Sequence, residues 1–173
     1  MKNGPLQSIE KDLKKIAMIS EQLRDENFRF RRFIKERMDD RKLDLIVKDL
    51  YHKIASEIDC QACGNCCQVS FPTLTKTDVN RLAKALGLKS AQFQEQFIKL
   101  EDGDMVLKAE PCPFLNDKRC SHYEARPTAC KSYPHLHKSG FSQRSFFVLE
   151  NFGVCPIVFN VVQRLKNIIW RYR

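Results

Sequence analysis

Thiols dominate the reactive side chains of this sequence. Eight cysteines fall between positions 60 and 155, led by the run Cys60-x-x-Cys63-x-x-Cys66-Cys67. Thiolates bind Zn²⁺, iron and Cu(I) well, and two cysteines separated by two residues can bend around one centre in a tight loop. Gly64, between Cys63 and Cys66, supplies a position tolerant of the positive φ that such a loop needs. One C-x-x-C pair is weak evidence. Three cysteines at that spacing, a fourth adjacent, and Cys112, Cys120, Cys130 and Cys155 downstream make a strong donor set for a metal.

Spacing also bears on which metal. C-x-x-C-x-x-C is the three-ligand run of bacterial-type ferredoxins, whose remote ligand is followed by proline. Cys112-Pro113 and Cys155-Pro156 both have that form. Zinc sites more often join two separated C-x-x-C or C-x-x-H pairs, and Cys112, Cys120 and Cys130 are too far apart to build the second one. The pattern favours an iron–sulfur cluster of the 4Fe–4S type, with zinc as the alternative. Adjacent side chains usually diverge, so Cys66 and Cys67 are poorly placed to share one tetrahedral ion. Eight thiolates then make two four-ligand sites, or one site with the remaining cysteines buried. His122, His135 and His137 are secondary candidate ligands, and His52 lies away from the cysteines.

Composition constrains the setting. Four disulfides are the other reading of eight cysteines. The first residues carry charge without an apolar stretch behind it, because Glu10, Lys11, Asp12, Lys14 and Lys15 interrupt the residues downstream. No secretory leader is therefore expected, and a cytoplasmic chain keeps its thiols reduced. No stretch approaches the ~18 apolar residues of a membrane span. The net charge is +9, of which +3 lies in residues 1–58 and +6 in residues 59–173. Cations beside a thiolate site offset its negative charge. Contact with nucleic acid or an acidic protein partner is the second reading of that charge and is not favoured. No Ser-His-Asp set, P-loop, glycine-rich dinucleotide loop or carboxylate pair points to an ordinary hydrolase or kinase, and the sequence leaves open whether the protein is an enzyme.

The elements that must carry these residues read as mostly α with small β content. An irregular cysteine-rich core (58–173, with a C-terminal helix) comes after an N-terminal helical arm (1–57). Leu6, Ile9, Leu13, Ile16, Leu23, Phe30 and Ile34 fall on a 3-4 spacing that predicts one long helix over 6–37. That stripe packs on the rest of the chain or makes a homodimer. The alternation Phe28-Arg29-Phe30-Arg31-Arg32-Phe33 reads as a buried face beside a solvated one rather than a base-stacking surface. Asp39-Asp40 caps a second helix with Leu43, Ile46, Val47, Leu50 and Ile54 inward. Thr75 or Thr77 caps a helix ended by Gly87, and Ser90 caps the next. Met105–Leu107 and Ser145–Leu149 are expected as short strands, with a turn at Asp102-Gly103-Asp104, and Asn160–Arg173 as the terminal helix.

Taken together, Cys60-x-x-Cys63-x-x-Cys66-Cys67, Cys112-Pro113-Phe114-Leu115 and Cys120-x-x-Tyr123-x-x-Arg126-Pro127-x-x-Cys130-x-x-Tyr133-Pro134 resemble the YkgJ-type cysteine cluster family, CxxCxxCC, described as zinc- or iron-chelating. The resemblance covers about residues 58–157, including Thr75-x-x-Asp78 and Arg81-Leu82. It implies metal chelation, an iron–sulfur cluster among the options, and a related cysteine cluster occurs in some bacterial flagellin lysine methylases. The metal ligands that it implies are Cys60, Cys63, Cys66, Cys67, Cys112, Cys120, Cys130 and Cys155. Tyr123, Arg126 and Tyr133 match it too, as residues near a bound cofactor or anion. Arg126 would donate to cluster sulfides or bind an anionic substrate, or else fix its loop through backbone carbonyls ahead of Pro127. The resemblance implies no reaction for this chain.

Overall fold

The computed structural model describes residues 8–69 and 72–170. Leu6, where the first helix was expected to start, lies outside the described residues, as do Ser70 and Phe71 of the first cysteine loop and Arg171 and Arg173 of the terminal helix. In chain order the elements are α1 (Leu13–Gln22), α2 (Arg24–Arg37), α3 (Asp40–Ala55), α4 (Cys60–Cys63), α5 (Cys66–Val69), α6 (Lys76–Ala85) and α7 (Ser90–Phe97). The short strands β1 (Ile98–Glu101), β2 (Asp104–Leu107), β3 (Leu115–Asn116) and β4 (Arg119–Cys120) come next. After a 3₁₀ turn at Tyr123–Ala125 come α8 (Thr128–Ser132), α9 (Phe141–Glu150) and α10 (Pro156–Ile169). The protein is mostly α, with two small antiparallel hairpins, β1–β2 and β3–β4. No helix among the described residues is long and apolar enough to cross a membrane.

The chain forms two units. Residues 1–58 and 134–173 make one, and residues 59–133 make the other. The sequence suggested a single boundary at 57/58. Within the first unit, α10 packs on α3 and α9 packs on α2 and α3.

In the helical unit, the stripe predicted over 6–37 is divided between two helices. Asp12 starts α1, its carboxylate accepting the N–H groups of Lys14 and Lys15 at 2.9 and 3.2 Å, so the helix begins six residues or more after Leu6. At Leu23 the backbone leaves helical ψ; α1 packs against α10, and α2 packs against α9 while also reaching α10 through Glu26 and Phe30. Ile16, Phe30 and Ile34 of the stripe are buried, as are Leu43, Val47, Leu50 and Ile54 on α3, which Asp39 caps. Asn160 of α10 accepts the Glu10 N–H at 3.0 Å and donates to the Glu10 carbonyl at 2.8 Å, joining residues 150 apart in sequence.

Ser145–Leu149, expected as a strand, lies inside helix α9. The aromatic and branched residues there have strand propensity, but Phe141, Ser145 and Val148 fall on one helical face and are buried. The local N-cap is Gly140, which has no side-chain acceptor. Asp44 on α3 supplies one, accepting the Gly140 and Phe141 N–H groups at 2.8 and 2.9 Å. The terminal helix starts at Pro156 rather than Asn160, with Pro at its first position, where its missing N–H costs nothing. Lys166 is fully buried on this helix, its ammonium 2.8 Å from Glu26 and 5.9 and 5.6 Å from the ring centres of Phe30 and Phe152.

In the cysteine unit, Leu74, Val79, Leu82, Ala83, Phe93, Ile98, Leu107 and Phe114 form the core. Thr75 caps α6 in a capping box with Asp78, and Gly87 at φ 68° lies just past its end. Ser90, expected as the cap of α7, is its first residue. Lys89 holds the cap position, and its N–H donates to Gln92 Oε1 at 2.9 Å. The predicted strand at Met105–Leu107 is part of β2. Its partner β1 grows straight from the end of α7, with Ile98 opposite Leu107.

Candidate metal centre

Two one-turn helices and the hinge between them carry the first four cysteines. Asp59 caps α4, accepting the Gln61 N–H at 2.8 Å, and the Cys63 N–H closes the turn on the Asp59 carbonyl at 3.1 Å. Cys60 and Cys63 are thus three apart on one helical turn and share a side of it. Gly64 then takes the left-handed conformation, φ 58°, as the loop spacing requires. The chain reverses, and the Cys67 N–H reaches back to the Gly64 carbonyl at 3.1 Å as α5 begins.

Gly64 has a second constraint. A Cβ on it would stand 2.2 Å from the carbonyl oxygen of Lys118. Lys118 and Asp117 form the two-residue turn of the β3–β4 hairpin, both with positive φ, and Cys120 closes that hairpin opposite Leu115. The close approach therefore brings the first cysteine loop against the hairpin that carries Cys120. An open cleft of about 600 Å³ lies beside it, lined by Ala62 and by Asn116, Asp117, Lys118, Arg119 and Ser121. Cys112 is held from the other side, its N–H donating to the Cys67 carbonyl at 2.8 Å.

Seven thiols belong to this unit, and the surroundings shift several of them. Burial pushes Cys130 up to about 12, helped by the charges that Cys67, Cys112 and Cys120 would carry and opposed by Arg126. Cys112 and Cys120 are raised by burial and by Cys67, and each is eased by backbone N–H donors, from Phe114 and Leu115 to the first and from His122 to the second. Cys60 is raised by burial, then by Cys63 and Asp59, and lowered by Arg126. Cys67 goes the other way, to about 7, because the Cys66 thiol donates a hydrogen bond to it.

Among the described residues, no three Cys, His, Asp or Glu side chains are gathered closely enough to hold an ion as they stand. None of the eight cysteines is in a disulfide. Thiolates brought together around one point would repel one another, and a bound cation would remove that cost. The donor set fits a thiophilic metal on these grounds. His122 lies edge-on to Phe114, ring centres 5.5 Å apart. Cys155, His135 and His137 belong to the helical unit, where Cys155 is buried at the N-cap of α10.

Arg126 is a cation among these thiols. Its guanidinium lies 3.5 Å from the Tyr123 ring centre, donates to the Tyr123 carbonyl at 2.8 Å, and faces Cys60, Cys120 and Cys130. Tyr133 ends α8, its N–H donating to the Ala129 carbonyl at 3.0 Å. Sequence spacing did not reveal that Asp78, Arg81 and Thr128 meet in this unit. Thr75-x-x-Asp78 was visible as a helix start, and nothing in it announced a partner fifty residues on. The Thr128 N–H and hydroxyl donate to Asp78 Oδ1 at 3.0 and 2.9 Å.

No curated protein and no solved structure matches the chain. The family described as "CxxCxxCC: Putative zinc- or iron-chelating domain" matches residues 59–152. That span is more than half of the 173 residues and takes in all seven thiols of the cysteine unit. The chain belongs to the CxxCxxCC family, whose cysteine-rich domain is described as chelating zinc or iron.

Proposed function

We propose that the metal is iron, held as an iron–sulfur cluster of the 4Fe–4S type at one site or two, with a structural, electron-transfer or cluster-dependent chemical role in the cytoplasm. The observation that carries this reading is the C-x-x-C-x-x-C run folded as two single turns about left-handed Gly64. Three thiolates from one short loop leave the fourth to a remote cysteine followed by proline. Two pairs have that form. Proline at Cys155-Pro156 also serves the start of α10, whereas Cys112-Pro113 stands in the cysteine unit, tied by backbone to Cys67.

The proposed donors are Cys60, Cys63, Cys66, Cys67, Cys112, Cys120 and Cys130, with Cys155 of the helical unit tested separately below. A bound cluster would supply a one-electron couple, or a Lewis-acidic iron where its cysteine ligation is incomplete. Arg126 would offset the negative charge of the thiolates and donate toward sulfide or an anion.

Anaerobic purification followed by iron, sulfide and zinc analysis and a visible spectrum tests the reading. The expected result is a brown protein with equal iron and sulfide. A colourless protein with stoichiometric zinc and no sulfide would sink it. Cys155→Ser with unchanged metal content would assign that cysteine to the helix start alone.

A further inference from the structure

Helix α8 carries Cys130 and begins without a capping side chain of its own. Its N-cap is Pro127, which has no acceptor to offer. The acceptor comes instead from α6. Asp78 is fully buried, and its Oδ1 takes both the N–H and the hydroxyl of Thr128, at 3.0 and 2.9 Å. Its Oδ2 takes the N–H and hydroxyl of Thr75, at 3.0 and 2.8 Å. The same Oδ1 pairs with Arg81, whose guanidinium donates to the carbonyls of Ala125 and Arg126 at 3.2 and 2.9 Å.

One carboxylate and one guanidinium thus grip Ala125–Thr128 through two carbonyls, one N–H and one hydroxyl. Arg126 sits inside that grip and Cys130 two residues beyond it. A helix of five residues cannot fix its own direction, so the aim of Cys130 depends on the anchor at its first residue.

We propose that Asp78, with Arg81, is a positioning residue of the metal centre, fixing Cys130 and Arg126 on the first cysteine loop by capping α8 from α6. The inference rests on the metal-binding reading above. Outer partners that orient ligands typically change metal affinity by about 10- to 100-fold when removed. A carboxylate that only stabilised α6 would change folding and leave affinity intact.

The test uses the full chain, stripped and reloaded with Co²⁺, whose thiolate charge-transfer and d–d bands report the geometry of the donors. Affinity is measured by chelator competition beside the melting temperature of the metal-free form. Asp78→Asn is expected to lose about 10-fold or more in Co²⁺ affinity and to shift the bands, with Asp78→Glu recovering part of both. Thr128→Val keeps the backbone donor and removes the hydroxyl, and should lose several-fold with the metal-free melting temperature close to wild type. Should Asp78→Asn fail to fold, Thr128→Val and Thr128→Ala decide the matter. Wild-type affinity and bands in the Thr128 variants, or in a folded Asp78→Asn, would overturn the proposal. A wild-type chain that binds no Co²⁺ would instead overturn the metal-binding reading itself.

Discussion

Gly64 and the Lys118 carbonyl meet so closely that no side chain fits between them: a Cβ at Gly64 would lie 2.2 Å from that oxygen. Gly64 also holds φ 58°, which an L-residue adopts at a cost of about 1 kcal/mol. The obstacle is backbone, which cannot rotate away. Gly64→Ala should therefore lower the stability of the cysteine unit by about 3 kcal/mol or more and sharply reduce metal retention. Melting curves with and without metal check this. Gly87→Ala is the control, because its positive φ has the same conformational cost but open space around it.

Asp44 caps α9 from α3. Asp44→Ala should destabilise the helical unit by about 1–2 kcal/mol, since two N–H groups lose their acceptor and the helix N-terminus loses a negative charge. Metal content should stay at the wild-type level. A thermal melt and a metal assay on one preparation give both readouts, and a fall in metal content would contradict the expectation.

The Lys166–Glu26 pair is unequal. Lys166 has 1% of its side chain exposed and Glu26 has 30%. Removing the carboxylate leaves a buried cation without it, whereas removing the ammonium leaves an acid within reach of water. Glu26→Gln should accordingly cost about 3 kcal/mol and Lys166→Met much less. Chemical denaturation of both variants settles the order, and the reverse ranking would show that Lys166 is not held as a cation.

Asp78 sets an acid limit. Burial alone would raise its carboxyl, but hydrogen bonds from Thr75 and Thr128 outweigh it and hold the group well below the usual carboxylate range. Its folded value is below its unfolded one, so its stabilisation is complete above the ordinary value of about 3.9 and is lost as pH falls through the folded value. Metal-free wild type should melt progressively lower below about pH 4, and Asp78→Asn should show a shallower acid slope. Parallel curves for the two proteins would remove Asp78 from the account.

Metal affinity should climb with pH. Burial together with Cys67 pushes up Cys112, Cys120 and Cys130, the last to about 12, so these thiols hold their protons at neutral pH and must release them on ligation. Each proton released makes affinity rise by up to about tenfold per pH unit. Chelator competition between about pH 6.5 and 8 measures the slope, and a flat profile would mean that these thiols are not ligands.

Local chemistry made much of this structure readable. The caps at Asp39 and Thr75, the left-handed Gly64, the inward faces of α2 and α3 and the cysteine loop all arise from interactions within a few residues. The features that could not be read depend on atoms far along the chain. Ser145–Leu149 has the composition of a strand and becomes a helix with a cap from Asp44. β1 continues from α7 because Ile98 finds Leu107. The break at Leu23 has no glycine or proline to mark it. Asp78 was legible as the third residue of a capping box, and its bonds to Thr128 depend on how the unit folds back on itself.

The helical unit is assembled from both ends of the sequence, with Glu10 bonded to Asn160 and α3 packed on α10, while the cysteine unit is one uninterrupted stretch. A chain leaving the ribosome completes residues 59–133 well before α10 exists. The seven thiols of that stretch are thus all made before α9 and α10, the partners for which α2 and α3 must wait.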